Sequence, residues 1–86
     1  MISFEFNNKS WSISKDRFDN MDLIELVPVA DEKQWLYKDM IILLVGEEGL
    51  KEFRESVKTE DGRIPVSKHG EFILAAFDAL GNEGKN

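Results

Sequence analysis

The sequence predicts an α+β fold in which an N-terminal β-hairpin packs on a small bundle of about four helices. Residues 2–6 and 11–14 alternate between apolar and polar side chains, which is typical of strands. Beyond residue 20, apolar side chains instead recur every three or four positions, which is typical of amphipathic helices. The chain has 86 residues, the length of one small domain.

The N-terminal hairpin has a register that can be predicted. Asn7 and Asn8 lie between the strands, and asparagine tolerates the left-handed conformation that a tight hairpin turn needs. With a two-residue turn, Phe4 pairs with Trp11, and the apolar side chains share one face. Because an isolated hairpin is marginally stable in water, we expect this face to lie against the rest of the chain. The full predicted register pairs Ile2 with Ile13, Ser3 with Ser12, Phe4 with Trp11, Glu5 with Ser10 and Phe6 with Lys9.

A first helix is predicted over about residues 20–27, with a strand over residues 23–29 as the alternative. Asp19 is the predicted N-cap residue, because an aspartate side chain accepts hydrogen bonds from the first backbone NH groups of a helix. Pro28 disfavours the helical conformation at the residue before it, so the helix is predicted to end there.

Two further helices are predicted on either side of Gly46. The second begins at Asp31 or Glu32 and ends at Val45, where Gly46 supplies a stop signal. The third helix covers about residues 47–58 and is amphipathic. Its inward-facing side chains are Leu50, Phe53 and Val57.

A fourth helix is predicted from Ser67, as the capping residue, to about Leu80, with Gly81 as its terminator. We therefore expect a single α+β domain over residues 1–80. Residues 81–86 are expected to form a flexible C-terminal tail, because they are small or polar and have no apolar repeat.

Composition excludes several classes of function. The chain carries 17 acidic and 11 basic side chains and a net charge of −6, which argues against a nucleic-acid partner. The longest apolar run, Met40–Val45, is too short to span a bilayer, so we expect no membrane partner. The absence of cysteine excludes disulfides and thiolate chemistry. The first residues lack a signal-peptide pattern, and we expect a cytoplasmic protein.

No group of side chains shows a spacing that is typical of catalysis or cofactor binding. His69 is the one histidine and has neither a second histidine nor a cysteine with which to share a metal ion. Residues 19–27 resemble the recognition helix of acyl carrier proteins, but Asn20 stands where that family carries phosphopantetheine on a serine. We therefore expect no enzymatic activity, no cofactor, and no catalytic or metal-binding residue.

The second helix carries the candidate residues for a partner-binding surface. Trp35 and Tyr37 lie about 160° apart on a helical wheel, so both can hardly point into one small core. Tryptophan and tyrosine are frequent anchors of protein interfaces, and Ile42 would extend the patch on the Trp35 side. Trp35, Tyr37 and Ile42 are therefore the predicted partner-binding residues. The alternative is that both aromatic rings pack at the rim of the fold.

The order of features from residue 40 onward resembles that of the tail assembly chaperones of long-tailed bacteriophages. A leucine-rich helix closes in Leu-Leu-Val-Gly-Glu-Glu at residues 43–48, and Leu50 and Phe53 follow in a short helix. The sequence Glu-Asp-Gly-Arg-Ile-Pro-Val then occupies residues 60–66, before a last amphipathic helix that ends in Ala-Leu-Gly at residues 79–81. The resemblance covers about half of the chain.

This resemblance implies a non-catalytic chaperone that binds and solubilises the tape-measure protein during phage tail assembly, in the host cell cytoplasm. It also implies a longer form, made by a programmed ribosomal frameshift, that contacts the tail-tube protein. Lys85 and Asn86 can be encoded by a run of adenines on which a ribosome slips, and this is consistent with such a frameshift.

An acidic protein-binding module, such as an antitoxin or an inhibitor of a nucleic-acid enzyme, is the alternative function. In that case carboxylates of the third helix, among them Glu48 and Glu52, would imitate phosphate groups. Lys51, Arg54 and Lys58 are interspersed with these acids, which favours an ordinary solvated helix surface over phosphate mimicry.

Overall fold

The computed structural model describes residues 1–83, and it confirms the α+β class. These residues form two strands and three helices, whereas about four helices were expected. The helix count is lower because the predicted second and third helices are two parts of one element. The bounds are β1 (Ile2–Phe6), β2 (Lys9–Ile13), α1 (Met21–Ala30), α2 (Tyr37–Val57) and α3 (Val66–Glu83), with 3-10 turns at Lys15–Arg17 and Gln34–Leu36.

The predicted hairpin register is confirmed at all five pairs, from Ile2 with Ile13 to Phe6 with Lys9. Asn7 and Asn8 form the turn with positive φ angles of 54° and 65°. This is the left-handed region that asparagine tolerates better than most residues. The period of two and the two-residue turn therefore sufficed to fix the pairing.

The hairpin packs on the helices through a cluster of aromatic rings around Phe72 of α3. The ring centroid of Phe72 lies 4.9 Å from that of Trp11 and 5.5 Å from that of Phe4. Phe6 of β1 and Phe53 of α2 complete the cluster, at 5.4 Å and 4.9 Å from Phe72. Phe72 is fully buried and contacts rings from both strands and from α2, so this cluster joins the hairpin to the helices.

Helix α1 differs from the prediction at both ends. Its N-cap is Asn20 rather than Asp19, and the Asn20 side chain accepts a hydrogen bond from the backbone NH of Asp22 at 3.0 Å. Both residues have a suitable side chain, and the extended backbone at Asn20 decides between them. The helix also continues through Pro28 to Ala30, so the alternative of a strand over residues 23–29 is wrong.

Helix α2 begins later than predicted and bends in the middle. Asp31 caps the end of α1, and α2 starts at Tyr37 after a 3-10 turn, so the predicted start at Asp31 or Glu32 is wrong. Gly46 interrupts the helical conformation, with φ 79° and ψ 176°, but the helix resumes directly after it. Just before the bend, Arg17 Nη1 donates a hydrogen bond to the Leu43 carbonyl at 3.4 Å.

Helix α3 starts at Val66 and continues through Gly81 to Glu83, so neither Ser67 as its cap nor Gly81 as its terminator is correct. Gly81 lacks the positive φ angle of a C-terminal stop. Residues 84–86, the remainder of the predicted flexible tail, and with them the Lys85-Asn86 sequence of the expected frameshift, lie outside the described residues. Over residues 1–83, no helix combines the length and hydropathy that a bilayer crossing requires.

Candidate protein-binding groove

A groove of about 700 Å³ lies where the end of α1, the start of α2 and the first half of α3 meet. Ala30, Met40 and Ile73, which are all buried, line it from the three helices. Val27 of α1 and Leu74 of α3 also line the groove but remain 45% and 62% exposed. The groove therefore offers apolar side chains to a partner from two of its walls.

Tyr37, at the start of α2, connects the three walls of the groove. The residue is 8% exposed, and its hydroxyl donates a hydrogen bond to Asp31 Oδ1 at 3.1 Å. On the other side α3 approaches closely at Gly70, where a Cβ atom would lie 3.3 Å from Tyr37 Oη. The absence of a side chain at Gly70 therefore lets the tyrosine fit between α2 and α3.

The environment of Tyr37 keeps its hydroxyl protonated. Burial raises the pKa of Tyr37 above its usual value of 10.0, and the hydrogen bond and negative charge of Asp31 raise it further. At neutral pH the phenol is therefore a neutral donor, and Asp31 is the acceptor. The pair fixes the orientation of a carboxylate at the edge of the groove.

The charged side chains that line the groove are acidic. Two carboxylates, Asp31 and Glu71, are part of the lining, and no basic side chain of the described residues lines it. Glu71 is 3.8 Å from Lys68 Nζ, and this solvent-exposed pair neutralises it only in part. Helix α1 has two charged residues, Asp22 and Glu25, and both are acidic. A partner with basic side chains would complement this surface.

The structure separates the three predicted partner-binding residues. Trp35 is 72% exposed and is available to a partner, whereas Ile42 is half-buried against the core. Tyr37 is buried and lines the groove, so its ring forms no exposed patch with Trp35, and its part in partner binding stays a prediction. Trp35 and Tyr37 do not both enter the core, as expected, but Trp35 lies in the 3-10 turn before α2 and not on the helix, and Tyr37 is the buried residue of the two.

The exposed apolar residues of α1 and α3 were missed in the sequence. Met21 and Ile24 of α1 and Val66 of α3 are exposed, in addition to the two groove residues Val27 and Leu74. A signal for α1 was present, since eight of its ten residues are uncharged and apolar or proline. A helix that is apolar on nearly every side either lies in a core or offers a face to another molecule.

Polar side chains away from the groove make local contacts within the chain. His69 Nδ1 lies 2.8 Å from the carbonyl oxygen of Pro65 at the start of α3, and its ring packs edge-on against Phe53 at 5.0 Å. Glu48 and Glu52 lie 3.8 Å from the amino groups of Lys51 and Lys9. Within residues 1–83, no three histidine, cysteine, aspartate or glutamate side chains are grouped so as to hold a metal ion.

Comparison of the chain with protein-family models, with curated proteins and with solved structures found no match. Support for a function therefore comes from the groove and from the order of motifs in the sequence. The groove is the best candidate site, because it combines exposed apolar side chains with a defined set of charges.

Proposed function

We propose that this protein is a non-catalytic tail assembly chaperone, which binds the tape-measure protein of a long-tailed bacteriophage and keeps it soluble during tail assembly. The observation that supports this function best is the groove between the three helices, with Val27 and Leu74 exposed on its walls. The order of motifs over residues 43–81 supports the identity of the partner. A longer, frameshifted form would contact the tail-tube protein.

The physical basis is the covering of apolar helical surface. A tape-measure protein is long and helical, and apolar stripes left uncovered before assembly would make it aggregate. A small protein that docks such a stripe in an apolar groove would cover it. The net charge of −6 would then keep the complex soluble.

The groove is suited to reversible binding. Burial of one large aliphatic side chain contributes about 1.5–3 kcal/mol, and association itself costs at least about 4 kcal/mol. With Val27, Leu74 and the outlying Trp35 as the exposed contacts, these contributions leave at most about 5 kcal/mol, so we expect weak binding at a single site, with a Kd of about 0.1 mM or higher. Weak contacts of this kind would let tube subunits displace the chaperone.

The alternative function, an acidic antitoxin or inhibitor, has weaker support. It requires the carboxylates of α2 to act as a row of free negative charges. Glu48 and Glu52 instead lie within salt-bridge distance of Lys51 and Lys9, in solvent-exposed pairs that neutralise them in part. Arg54 and Lys58, at the C-terminal end of the same helix, add further positive charge. Charge reversal at Glu48 and Glu52 separates the two functions, because it would abolish phosphate mimicry and leave the groove intact.

Co-expression tests the proposal. The full chain is produced together with the tape-measure protein encoded next to it, and the soluble fraction of the tape-measure protein is measured with and without the chain. We expect co-purification of the two proteins and a severalfold gain in soluble tape-measure protein. If neither occurs, the proposed function is wrong.

A further inference from the structure

We propose that the groove between α1, α2 and α3 binds an amphipathic α-helix whose apolar stripe is flanked by lysine or arginine side chains. The inference depends on the proposed function only for the identity of the biological partner. The shape and charge of the groove independently define the chemistry of its occupant.

The walls of the groove have the dimensions of a short helix. Helix α1 has ten residues and is about 15 Å long, at 1.5 Å per residue. Ile24 precedes Val27 by one turn on the same flank, so exposed apolar surface continues along this wall. On α3, Gly70, Leu74 and Phe77 line the opposite wall with spacings of four and three residues. This stretch of α3 is about 10 Å long, so a helix of about two turns would cover the groove along its length.

The charges select a basic partner over an acidic one. An occupant that buries its apolar stripe against Val27 and Leu74 brings its flanking residues to the carboxylates at the edge of the groove. Asp31, whose orientation Tyr37 fixes, lies at the α1 end of the wall, and Glu71 lies on α3. Lysine or arginine in the flanking positions would pair with these groups, whereas glutamate would be repelled.

The same charges disfavour a second copy of this chain as the occupant. Two copies joined through the groove would bring Asp31 and Glu71 of each close to the other acidic surface. Helix α1 has no basic side chain to offset them, because its two charged residues are Asp22 and Glu25. Each copy also carries a net charge of −6, which opposes association.

Binding to two synthetic helical peptides of about 14 residues tests this inference. Both carry leucine at spacings of three and four, and they differ only in flanking residues, which are lysine in one and glutamate in the other. We expect the lysine peptide to bind the full chain at least about tenfold more tightly, and added salt to reduce the difference. Equal binding of the two peptides would show that the charge of the groove does not select its occupant.

Two matched variants test the location. Leu74→Asp places a charge in the groove at a side chain that is 62% exposed, and Met21→Asp makes the same change outside the groove at one that is 65% exposed. We expect Leu74→Asp to weaken binding of the lysine peptide by about tenfold or more and Met21→Asp to leave it unchanged. Circular dichroism melting verifies that both variants are folded. Unchanged binding by folded Leu74→Asp would overturn the inference.

Three further outcomes separate the inference about the groove from the proposed function. If the chain binds neither peptide but sediments as a dimer that Leu74→Asp dissociates, the occupant is a second copy and the inference is wrong. If the lysine peptide fails to bind while co-expression still solubilises the tape-measure protein, the inference about the groove is wrong and the proposed function is upheld. If the lysine peptide binds in the groove without any effect on the tape-measure protein, the proposed function fails and the inference is upheld.

Discussion

Tyr37 donates a hydrogen bond to Asp31 at 3.1 Å, and this bond joins the start of α2 to the residue that ends α1 at the edge of the groove. The two residues are separated by a 3-10 turn that carries the exposed Trp35. The hydrogen bond therefore holds together two helices between which the groove opens. We expect the stability of this corner and the shape of the groove to depend on it.

Tyr37→Phe is expected to lower the free energy of unfolding by about 1 kcal/mol, because it removes one partly buried hydrogen bond and keeps the aromatic ring in place. Urea denaturation measures the change. The slope of the unfolding free energy against urea concentration should stay constant, because the surface exposed on unfolding is unchanged. A variant as stable as the wild type would show that the hydrogen bond contributes nothing.

Alkaline pH should destabilise the wild type more than Tyr37→Phe. Burial and Asp31 raise the pKa of Tyr37 above 10.0 in the folded chain, whereas the unfolded chain ionises near the usual value. The stability from the protonated phenol is therefore fully present below pH 10 and is lost as the pH rises through the raised pKa. Tyr37 is the one tyrosine, so the ultraviolet absorbance of tyrosinate reports its titration directly. A midpoint at or below 10.0 in the folded protein would contradict this prediction.

Gly70→Ala should be more favourable in the Tyr37→Phe background than in the wild type. In the wild type the new Cβ atom would lie 3.3 Å from Tyr37 Oη, so the ring must shift. With phenylalanine this atom is absent, and the gain in helix propensity of about 0.5–1 kcal/mol is realised more fully. A double-mutant cycle measures the coupling, and additive effects would show that the two residues do not constrain each other.

Gly46→Ala is expected to destabilise the protein by about 1–3 kcal/mol, because φ 79° with ψ 176° is a conformation that is essentially restricted to glycine. Gly81→Ala is the matched control. Gly81 lies within α3 without a positive φ angle, and a Cβ atom there would meet no other atom within 4 Å. We expect this control to be neutral or stabilising by up to about 1 kcal/mol. Equal effects at both glycines would refute a special backbone at Gly46.

Below pH 4, the wild type should lose stability more steeply than Asp61→Asn. Hydrogen bonds from Thr59 and Arg63 lower the pKa of Asp61 from its usual 3.8. Stability from the ionised carboxylate is therefore present above the unfolded pKa and is lost as the pH falls through the folded pKa. Acid-unfolding curves of the two proteins measure the difference, and parallel curves would contradict the prediction.

Local patterns predicted the parts of the fold that local interactions determine. The hairpin register followed from the apolar alternation and from the left-handed turn at Asn7 and Asn8, and both act over a few residues. The break at Gly46 and the helix that resumes at residue 47 were also predicted, because glycine and the apolar spacing of Leu50, Phe53 and Val57 are local signals. Glycine is also a common helix terminator, but α3 continues past Gly81, where the backbone does not adopt a positive φ angle.

The groove could not be predicted, because it exists only where three helices meet. Val27, Tyr37 and Leu74 belong to different helices, and no periodicity within one helix shows which of its apolar faces another helix covers. The position of Tyr37 illustrates the difficulty. A helical wheel indicates that Trp35 and Tyr37 diverge, but the contact with Gly70 and the hydrogen bond to Asp31 decide which ring is buried.

The most direct measurement of the proposed function is the soluble fraction of the tape-measure protein, co-expressed with the wild type, with Leu74→Asp or with Met21→Asp. Leu74 lines the groove and Met21 does not, although their exposures of 62% and 65% are similar. We expect the wild type and Met21→Asp to keep the tape-measure protein soluble and Leu74→Asp to lose most of this effect. Full solubilisation by a folded Leu74→Asp variant would contradict binding through the groove, and no solubilisation by the wild type would contradict the chaperone function itself.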